Sequence, residues 1–282
     1  MPRIIAVANR KGGVGKTTTT VNVATAMAAA SKKVLVIDLD PQSNASTSLG
    51  IDKHGEMVSS YEVIIGERKL KEAVILTEIP DFSLVPATPD LAGAEVELID
   101  RPRREFALKD ALAESALDYD YVLIDCPPSL SLVTINALVA ADAVIVPLQC
   151  EYLALEGITD LIGNINQIKR RFNPRLELQG VVLTMYDGRN NLTQMVEEDV
   201  RSFFGNKVYQ TVIPYFEIID GKCVKTELLP VSLGFYKERY KKNLPYVADE
   251  IEALAILEYL NRACRPYGVE WCYSGGIMIR SK

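Results

Sequence analysis

A glycine-rich stretch near the N-terminus has the residue types and spacing of a phosphate-binding loop. Residues 10–17 are RKGGVGKT, placed between an apolar run and a segment rich in Ala and Thr. A strand before the loop and a helix after it form the context that such a loop requires. Glycines let successive N–H groups face phosphate oxygens, and the helix N-terminus adds partial positive charge. The stretch therefore predicts a site for a nucleotide.

Two lysines and a threonine in this loop could act on a triphosphate. Lys16 would neutralise the β and γ phosphates, and the Thr17 hydroxyl would bind Mg²⁺. The loop departs from the usual pattern because Arg10 stands where a glycine is expected, followed by Lys11. A second lysine at the start of the loop cannot easily fold back onto the phosphates that Lys16 occupies. We therefore expect Lys11 to serve a neighbouring molecule.

Carboxylates follow two further apolar runs. Asp38 and Asp40 come at the end of the run at residues 34–37, and Asp125 ends the run at 121–124. In open α/β sheets, ligands lie at the carboxyl ends of the strands, so these side chains are candidates for contact with a bound ligand. The alternative is a structural role, in which strand-end carboxylates cap the turns that follow.

The elements that position these residues follow from the apolar runs. Continuous runs, in contrast to alternating ones, favour parallel strands covered on both faces; they lie at residues 4–8, 34–37, 121–124, 143–147 and 180–184. Segments of helical length lie between or after them, at residues 17–30, 130–141, 157–172 and 191–204. The pattern predicts an α/β fold, with a doubly wound, mostly parallel sheet and helices on both faces.

Composition restricts the class of protein. The 282 residues carry a net charge of −6, which argues against a basic nucleic-acid binder and leaves room only for a local basic patch. The five cysteines contain no CxxC pair, and His54 is the single histidine, so a zinc ribbon and histidine chemistry are disfavoured. No leader segment and no apolar run of membrane-spanning length is recognisable, which predicts a cytoplasmic protein.

The composition changes after Pro214. The remaining residues hold seven of the thirteen tyrosines and the only tryptophan. We expect a P-loop domain over residues 1–214 and a divergent C-terminal segment over 215–282, packed on the same domain. Apolar spacing predicts one amphipathic helix over residues 246–262 in that segment.

The sequence resembles the deviant Walker A ATPases of the ParA/MinD group, and within it the ParA/Soj partition ATPases. The resemblance covers about three quarters of the chain and is carried by five motifs: KGGVGKT at residues 11–17, DLDPQ at 38–42, DCPPS at 125–129, QCEY at 149–152 and LTMYD at 183–187. It implies a P-loop ATPase that uses ATP and Mg²⁺.

The resemblance also implies a role for each matching residue. Lys11, Lys16 and Asp40 would be catalytic, with Asp40 orienting the attacking water. Thr17, Asp38 and Asp125 would hold the metal. The residues expected to contact the nucleotide are Lys11, Gly12, Gly13, Val14, Gly15, Lys16, Thr17, Thr18 and Pro214.

Partners are implied in the same way. ATP would be sandwiched in a homodimer in which Lys11 reaches the partner's nucleotide, and the dimer would bind double-stranded DNA non-specifically, partly through Arg189. A ParB-like centromere-binding protein would stimulate hydrolysis, and the protein would be nucleoid-associated, with no membrane expected. One departure is that residues 215–220, YFEIID, lack the second DNA-contacting arginine usual in the family.

Three alternatives stay open. A MinD-like membrane-positioning ATPase needs a basic amphipathic helix, yet residues 246–262 include four acidic side chains. A reductase ATPase of the nitrogenase iron-protein type needs a cysteine pattern for an iron–sulfur cluster, and Cys126 and Cys150 do not supply it. The third is a nucleotide-binding scaffold without turnover, against which Asp40 argues.

Overall fold

The computed structural model describes most of the first 214 residues and four short strands beyond them. The described ranges are residues 2–51, 56–151, 154–214, 216–219, 222–225, 271–274 and 277–280. His54 and the helix predicted over residues 246–262 lie outside the described residues. In the described part of the chain, no helix combines the length and apolarity needed to cross a membrane.

A seven-stranded sheet forms the centre of the fold. Its strands are β1 (Arg3–Val7), β2 (Val34–Asp38), β3 (Ile75–Leu76), β4 (Phe82–Val85), β5 (Tyr121–Asp125), β6 (Ala143–Gln149) and β7 (Glu177–Thr184). Their order is β3-β4-β2-β5-β1-β6-β7. Every neighbouring pair is parallel except β3 and β4. The mostly parallel sheet is confirmed, and two strands, β3 and β4, were not predicted.

Eight α-helices accompany the sheet in the described residues. They are α1 (Lys16–Ala29), α2 (Asn44–Ser48), α3 (Ser60–Ile64), α4 (Ala94–Leu98), α5 (Ala107–Glu114), α6 (Leu132–Ala140), α7 (Ala154–Arg171) and α8 (Asn191–Phe204). Short 3-10 turns lie at Leu70–Ala73, Pro89–Gly93, Arg104–Phe106 and Gly205–Lys207.

Four short strands follow residue 214. They are β8 (Phe216–Ile219), β9 (Lys222–Lys225), β10 (Trp271–Ser274) and β11 (Ile277–Arg280). The first two pair antiparallel with each other, and so do the last two. Among the described residues, neither pair joins the seven-stranded sheet.

The central strands are buried on both faces, as their continuous apolar runs predict. In β2, Leu35 and Ile37 belong to one apolar cluster, whereas Val34 and Val36 belong to a second. Successive side chains of a strand point to opposite faces, so the clusters lie on the two sides of the sheet. Helix α1 contributes to the second cluster, and α6 and α7 contribute to the first. Helices therefore cover both faces, as expected for a doubly wound fold.

Candidate active site

The glycine-rich loop connects β1 to α1 at the carboxyl edge of the sheet. Gly13 and Gly15 have φ angles of +74° and +88°, a region that residues with a side chain rarely adopt. Gly15 precedes the first residue of α1, and no side chain caps this helix end. The first N–H groups of α1 have no partner within the helix and can therefore receive an anion.

Lys16 lies inside the loop and is nearly buried, with 7% of its surface exposed. Its ammonium donates one hydrogen bond, to the carbonyl oxygen of Lys11 at 2.9 Å. Burial lowers the pKa of Lys16, opposed by the negative charges of Asp125 and Asp40. Since an ammonium has three donors, two are left for a ligand. The buried Thr18 hydroxyl likewise has no hydrogen-bond partner among the described residues, so the loop has unused polar groups that fit a phosphate.

Two aspartates meet at the ends of neighbouring strands. Asp38 of β2 lies opposite Asp125 of β5, and both side chains are fully buried. Asp125 accepts hydrogen bonds from the hydroxyls of Thr17 (2.6 Å) and Thr20 (3.3 Å). Burial raises the pKa of Asp125 well above its usual value, and the charge of Asp38 adds to this effect. The strand register thus places carboxylate and hydroxyl oxygens beside Lys16.

Asp38 organises the loop that follows β2. It accepts hydrogen bonds from the backbone N–H groups of Asp40 (3.1 Å) and Ser46 (3.0 Å) and from the Ser46 hydroxyl (2.7 Å). Burial raises the pKa of Asp38 to about 6, although the hydrogen bonds from Ser46 lower it. Asp38 therefore caps the turn, as one interpretation of the sequence allowed, but it does so as a buried group and not as a solvated one.

Asp40 has a carboxylate oxygen available at the same edge. One oxygen, Oδ1, accepts a hydrogen bond from the backbone N–H of Gln42 at 2.9 Å. The other, Oδ2, has no hydrogen-bond partner among the described residues, and 7% of Asp40 is exposed. A carboxylate in this situation can accept a hydrogen bond from a water molecule.

Lys11 lies at the exposed mouth of the loop. Its ammonium forms an ion pair with Glu151, which lies between β6 and α7, and 53% of the lysine side chain is exposed. The loop turns here because the backbone N–H of Lys11 donates to Asn9 Oδ1 (3.0 Å), while Asn9 Nδ2 donates to the carbonyl of Pro147 (2.7 Å). Lys11 therefore contacts a different carboxylate from those around Lys16.

The end of β7 connects the loop to the segment around Pro214. The Thr184 hydroxyl donates to the carbonyl of Val14 at 2.8 Å, and the N–H of Tyr186 donates to the carbonyl of Ile213 at 2.9 Å. Tyr186 also forms an isolated parallel bridge with Pro214. The structure thus brings Pro214 to the same region as the loop.

Arg189 lies apart from this cluster, in the turn before α8. Its guanidinium donates to both carboxylate oxygens of Asp187, at 2.9 and 2.8 Å, and half of its side chain is exposed. These hydrogen bonds lower the pKa of Asp187.

Several residues of the site were not predicted to have a role. Glu151 belongs to the QCEY motif, which supports the family resemblance, but no function was assigned to this residue from the sequence. Thr20 follows Lys16 by one helical turn, a spacing that could have indicated it. Asn9 and Ser46 contact Pro147 and Asp38, respectively. These contacts form only in the folded chain, so nothing in the sequence indicated them.

A cation at this site would depend on few protein ligands. In the described ranges, no group of three or more His, Cys, Asp or Glu side chains could hold a metal ion. Mg²⁺ commonly uses one or two carboxylates together with substrate phosphates and water. Thr17 and Asp125 fit that donor set, since both present oxygen atoms beside the loop.

Comparisons with known proteins agree with the geometry. A family model described as AAA domain matches residues 2–178. The chromosome partitioning protein ParA of Caulobacter vibrioides is 53% identical over 214 residues, which cover 75% of this chain and 80% of that protein. The sporulation initiation inhibitor protein Soj of Bacillus subtilis is 46% identical over 214 residues, covering 76% and 85% of the two chains.

A solved structure is similar over the same region. It is a cobyrinic acid a,c-diamide synthase from Mycobacterium smegmatis with bound ADP and magnesium, with 44% identity and a TM-score of 0.73. The similarity covers 76% of this chain and 87% of that one. With the family model and the relatives in agreement, the chain belongs to the ParA/Soj partition ATPases of the ParA/MinD deviant Walker A family.

Proposed function

We propose that this chain is an ATP-dependent DNA partition protein that dimerises around ATP, binds DNA as a dimer and releases it after hydrolysis. The observation that carries the proposal is the separation of the two loop lysines. Lys16 is buried beside Asp125, whereas Lys11 is exposed at the mouth of the loop. A cation in that position is available to a nucleotide held by a second copy of the chain.

The loop binds the phosphates of ATP, and residues near the strand ends bind the metal ion and the base. The loop from Gly12 to Thr18 holds the phosphates with its N–H groups, and Lys16 contributes its two free donors. Thr17 and Asp125 hold Mg²⁺, which neutralises charge on the phosphate oxygens when it is bound. Pro214, which forms a bridge with Tyr186 after the end of β7, is the residue that we expect to contact the base.

Asp40 acts on the water, and Asp38, which the resemblance placed among the metal ligands, positions Asp40. Asp40 accepts a hydrogen bond from the attacking water through its free oxygen and so aligns it with the γ phosphate. Asp38 keeps the Asp40 loop in place through its contacts with Asp40 and Ser46. Phosphoryl transfer to water needs alignment and charge stabilisation more than covalent help, so these contacts suffice for the chemistry.

Lys11 changes partner on dimerisation. In the single chain it pairs with Glu151, and 34% of that glutamate side chain is exposed. Ion pairs of such exposure contribute only about 0–1 kcal/mol. The phosphates of a second protomer's ATP offer a stronger, multiply charged partner. The exchange from Glu151 to ATP therefore favours the dimer and links pairing to the nucleotide state.

DNA binding and its control complete the proposal. Two protomers present two copies of each DNA-contacting group, Arg189 among them, so pairing increases avidity without a new contact. A ParB-like protein bound to the centromere stimulates hydrolysis, and the protein is located on the nucleoid. The partition name of the Caulobacter vibrioides relative supports this assignment, since that relative is 53% identical to the chain, against 44% for the structural neighbour named for a synthase.

A direct test combines hydrolysis with DNA binding. Phosphate release is measured with ATP and Mg²⁺, and binding to a labelled non-specific duplex is measured with ATP, with ADP and without nucleotide. We expect turnover and DNA binding that requires ATP. DNA binding that is equal in all three states would contradict the proposal. ATP-dependent pelleting with anionic vesicles, without DNA binding, would assign the chain to the MinD-like alternative.

A further inference from the structure

The C-terminal end of α7 carries a cluster of cations that the proposed site does not use. The cluster consists of Lys169, Arg170 and Arg171 in the last turn of α7, and Arg175 in the loop before β7. Three of these side chains are exposed, and Lys169 is half-buried. We call them the α7 basic cluster.

The cations of the α7 basic cluster are not paired with acidic side chains of the described residues. Within the described part of the chain, none of the four forms an ion pair, whereas eight other Lys or Arg side chains do so. Cations in the last turn also stabilise a helix through its dipole. That effect does not account for Arg175, which lies beyond the helix.

The α7 basic cluster lies on a helix and a loop that are fixed to the core of the domain. Leu161, Ile165 and Ile168 bury the opposite side of α7 in the core. The loop after α7 is fixed by Asn173, whose side-chain amide donates to the carbonyls of Leu138 (3.0 Å) and Ala141 (2.6 Å). Cations on a fixed support lose less conformational entropy when they bind than cations on a mobile loop do.

The surface next to the cluster favours DNA over a membrane. The exposed residues of the last turns of α7 are Gly163, Asn166, Gln167, Arg170 and Arg171. None of them is apolar, whereas a helix that binds lipid needs an apolar face. Amide side chains and arginines are the groups that contact phosphate oxygens of a duplex.

The position of the cluster is compatible with dimerisation. Helix α7 has 18 residues and therefore spans about 27 Å. Its beginning adjoins the nucleotide loop, where Asp160 pairs with Arg10 at 3.2 Å. Its end lies where β7 begins, at the amino edge of the sheet. A duplex bound there does not compete with a partner bound at the nucleotide edge.

We propose that the α7 basic cluster is a second contact surface for the phosphate backbone of double-stranded DNA, separate from Arg189. This inference rests on the proposed function. The cluster supplies sequence-independent charge from an element other than the turn that carries Arg189. Non-specific binding of this kind depends strongly on salt.

The test compares two double variants of the full chain that remove the same charge. Arg170→Ala/Arg171→Ala removes two cations of the cluster. Lys69→Ala/Lys71→Ala removes two exposed cations near β3, which also have no ion pair among the described residues. Binding to a labelled non-specific duplex is measured with ATP over a salt series. Basal ATP hydrolysis and the melting temperature are measured for each variant.

We expect Arg170→Ala/Arg171→Ala to weaken DNA binding about tenfold and to reduce the salt slope by roughly one for each lost phosphate contact. The lysine variant should bind like the parent chain, and basal hydrolysis should stay the same in both. Equal DNA binding by the parent and the arginine variant would overturn the inference while leaving the proposed function intact. Failure of the parent chain to bind DNA with ATP would overturn the proposed function, and this inference with it.

Discussion

Lys11 and Lys16 are five residues apart but have different surroundings, which allows their roles to be separated by substitution. We expect Lys11→Ala to bind ATP within a few-fold of the parent chain and to lose the ATP-dependent dimer. A charged hydrogen bond contributes about 1.5–3 kcal/mol, and a dimer loses two of them, so its dissociation constant should rise at least about 100-fold. Titration with a fluorescent nucleotide and light scattering with a non-hydrolysable ATP analogue measure the two effects.

Arg10→Ala is the matched control for this prediction. Arg10 is the neighbouring cation, is also exposed and pairs with Asp160 instead of Glu151. It should dimerise like the parent chain. A dimer that persists in Lys11→Ala would contradict the role of Lys11. An equal loss of the dimer in Arg10→Ala would show that any positive charge at the mouth of the loop has the same effect and that Lys11 has no specific role.

Asp40 is expected to affect turnover and not binding. Its free carboxylate oxygen lies at the site edge, while its other oxygen serves the local turn. Asp40→Ala should lower the rate of ATP hydrolysis about 100-fold or more, the usual size of a positioned acid–base or water-orienting contribution. Phosphate release and nucleotide affinity are measured in parallel. Asp160→Ala, an exposed aspartate on α7, should hydrolyse ATP at the parent rate; unchanged hydrolysis in Asp40→Ala would refute its assignment.

The sequence was sufficient to predict the residues that lie within one motif, but not those that depend on contacts between motifs. The glycine pattern indicated the loop, and the apolar runs indicated that Asp38 and Asp125 end strands. Glu151 could not be predicted as the partner of Lys11, because 140 residues separate them and the contact exists only once β1 and β6 are neighbours.

At the scale of elements, strand β7 depends on a glycine that lets another segment approach. A Cβ atom on Gly180 would lie 2.9 Å from Tyr209 Cζ and 3.1 Å from the carbonyl oxygen of Lys207. Tyr209 is buried and its N–H donates to the carbonyl of Val181 at 2.9 Å, so the ring has little room to move. We expect Gly180→Ala to lower the free energy of unfolding by about 1–3 kcal/mol.

Gly163 in α7 gives the opposite expectation for the same substitution. A Cβ atom added to this residue would have no neighbouring atom of the described residues within 4 Å, and the residue is inside a helix. Gly163→Ala should raise the free energy of unfolding by about 0.5–1 kcal/mol, because alanine loses less backbone entropy on folding. Denaturant unfolding of both variants measures the difference. Similar changes in the two variants would contradict the packing argument at Gly180.

The elements that could be predicted are those with a strong local signal. The central strands were predicted to within three residues at either end because both of their faces are apolar. Strand β3 was missed because two residues are too few to show a pattern, and β4 was missed because Ser83 interrupts its apolar run. The helices α2, α3 and α4 were missed because five residues are too few to show a helical period, and they form because neighbouring elements bury their apolar side chains.

At the scale of the whole molecule, the carboxyl edge and the amino edge of the sheet bind different partners under the proposed function. The carboxyl edge holds the loop, the buried aspartates and Lys11, which are the groups expected to face a nucleotide and a second protomer. The amino edge holds the α7 basic cluster. Because α7 and the central strands connect the two edges, one rigid domain can present a dimer contact at one edge and the second DNA contact at the other, in addition to Arg189, which follows the carboxyl end of β7.

The division of the chain at Pro214 leads to a last prediction. The seven-stranded sheet is complete before this residue. The segment that leads to Pro214 is fixed to β7 by the hydrogen bond from the N–H of Ile213 to the carbonyl of Leu183 at 2.8 Å. The described strands after residue 214 pair with each other and not with this sheet.

Trypsin cleaves a locally unfolded segment, so cleavage within the sheet domain requires an energetically costly local unfolding. The two-stranded pair of β8 and β9 is only marginally stable compared with the sheet. We therefore expect limited digestion to cut first after Lys222 or Lys225 and to leave a fragment that retains residues 2–214, identified by mass spectrometry. ATP and Mg²⁺ should slow any cleavage inside that fragment, since a ligand that binds only the folded domain stabilises it. Early cuts within residues 2–214, at a rate equal to that after residue 214, would mean that the domain boundary is wrong.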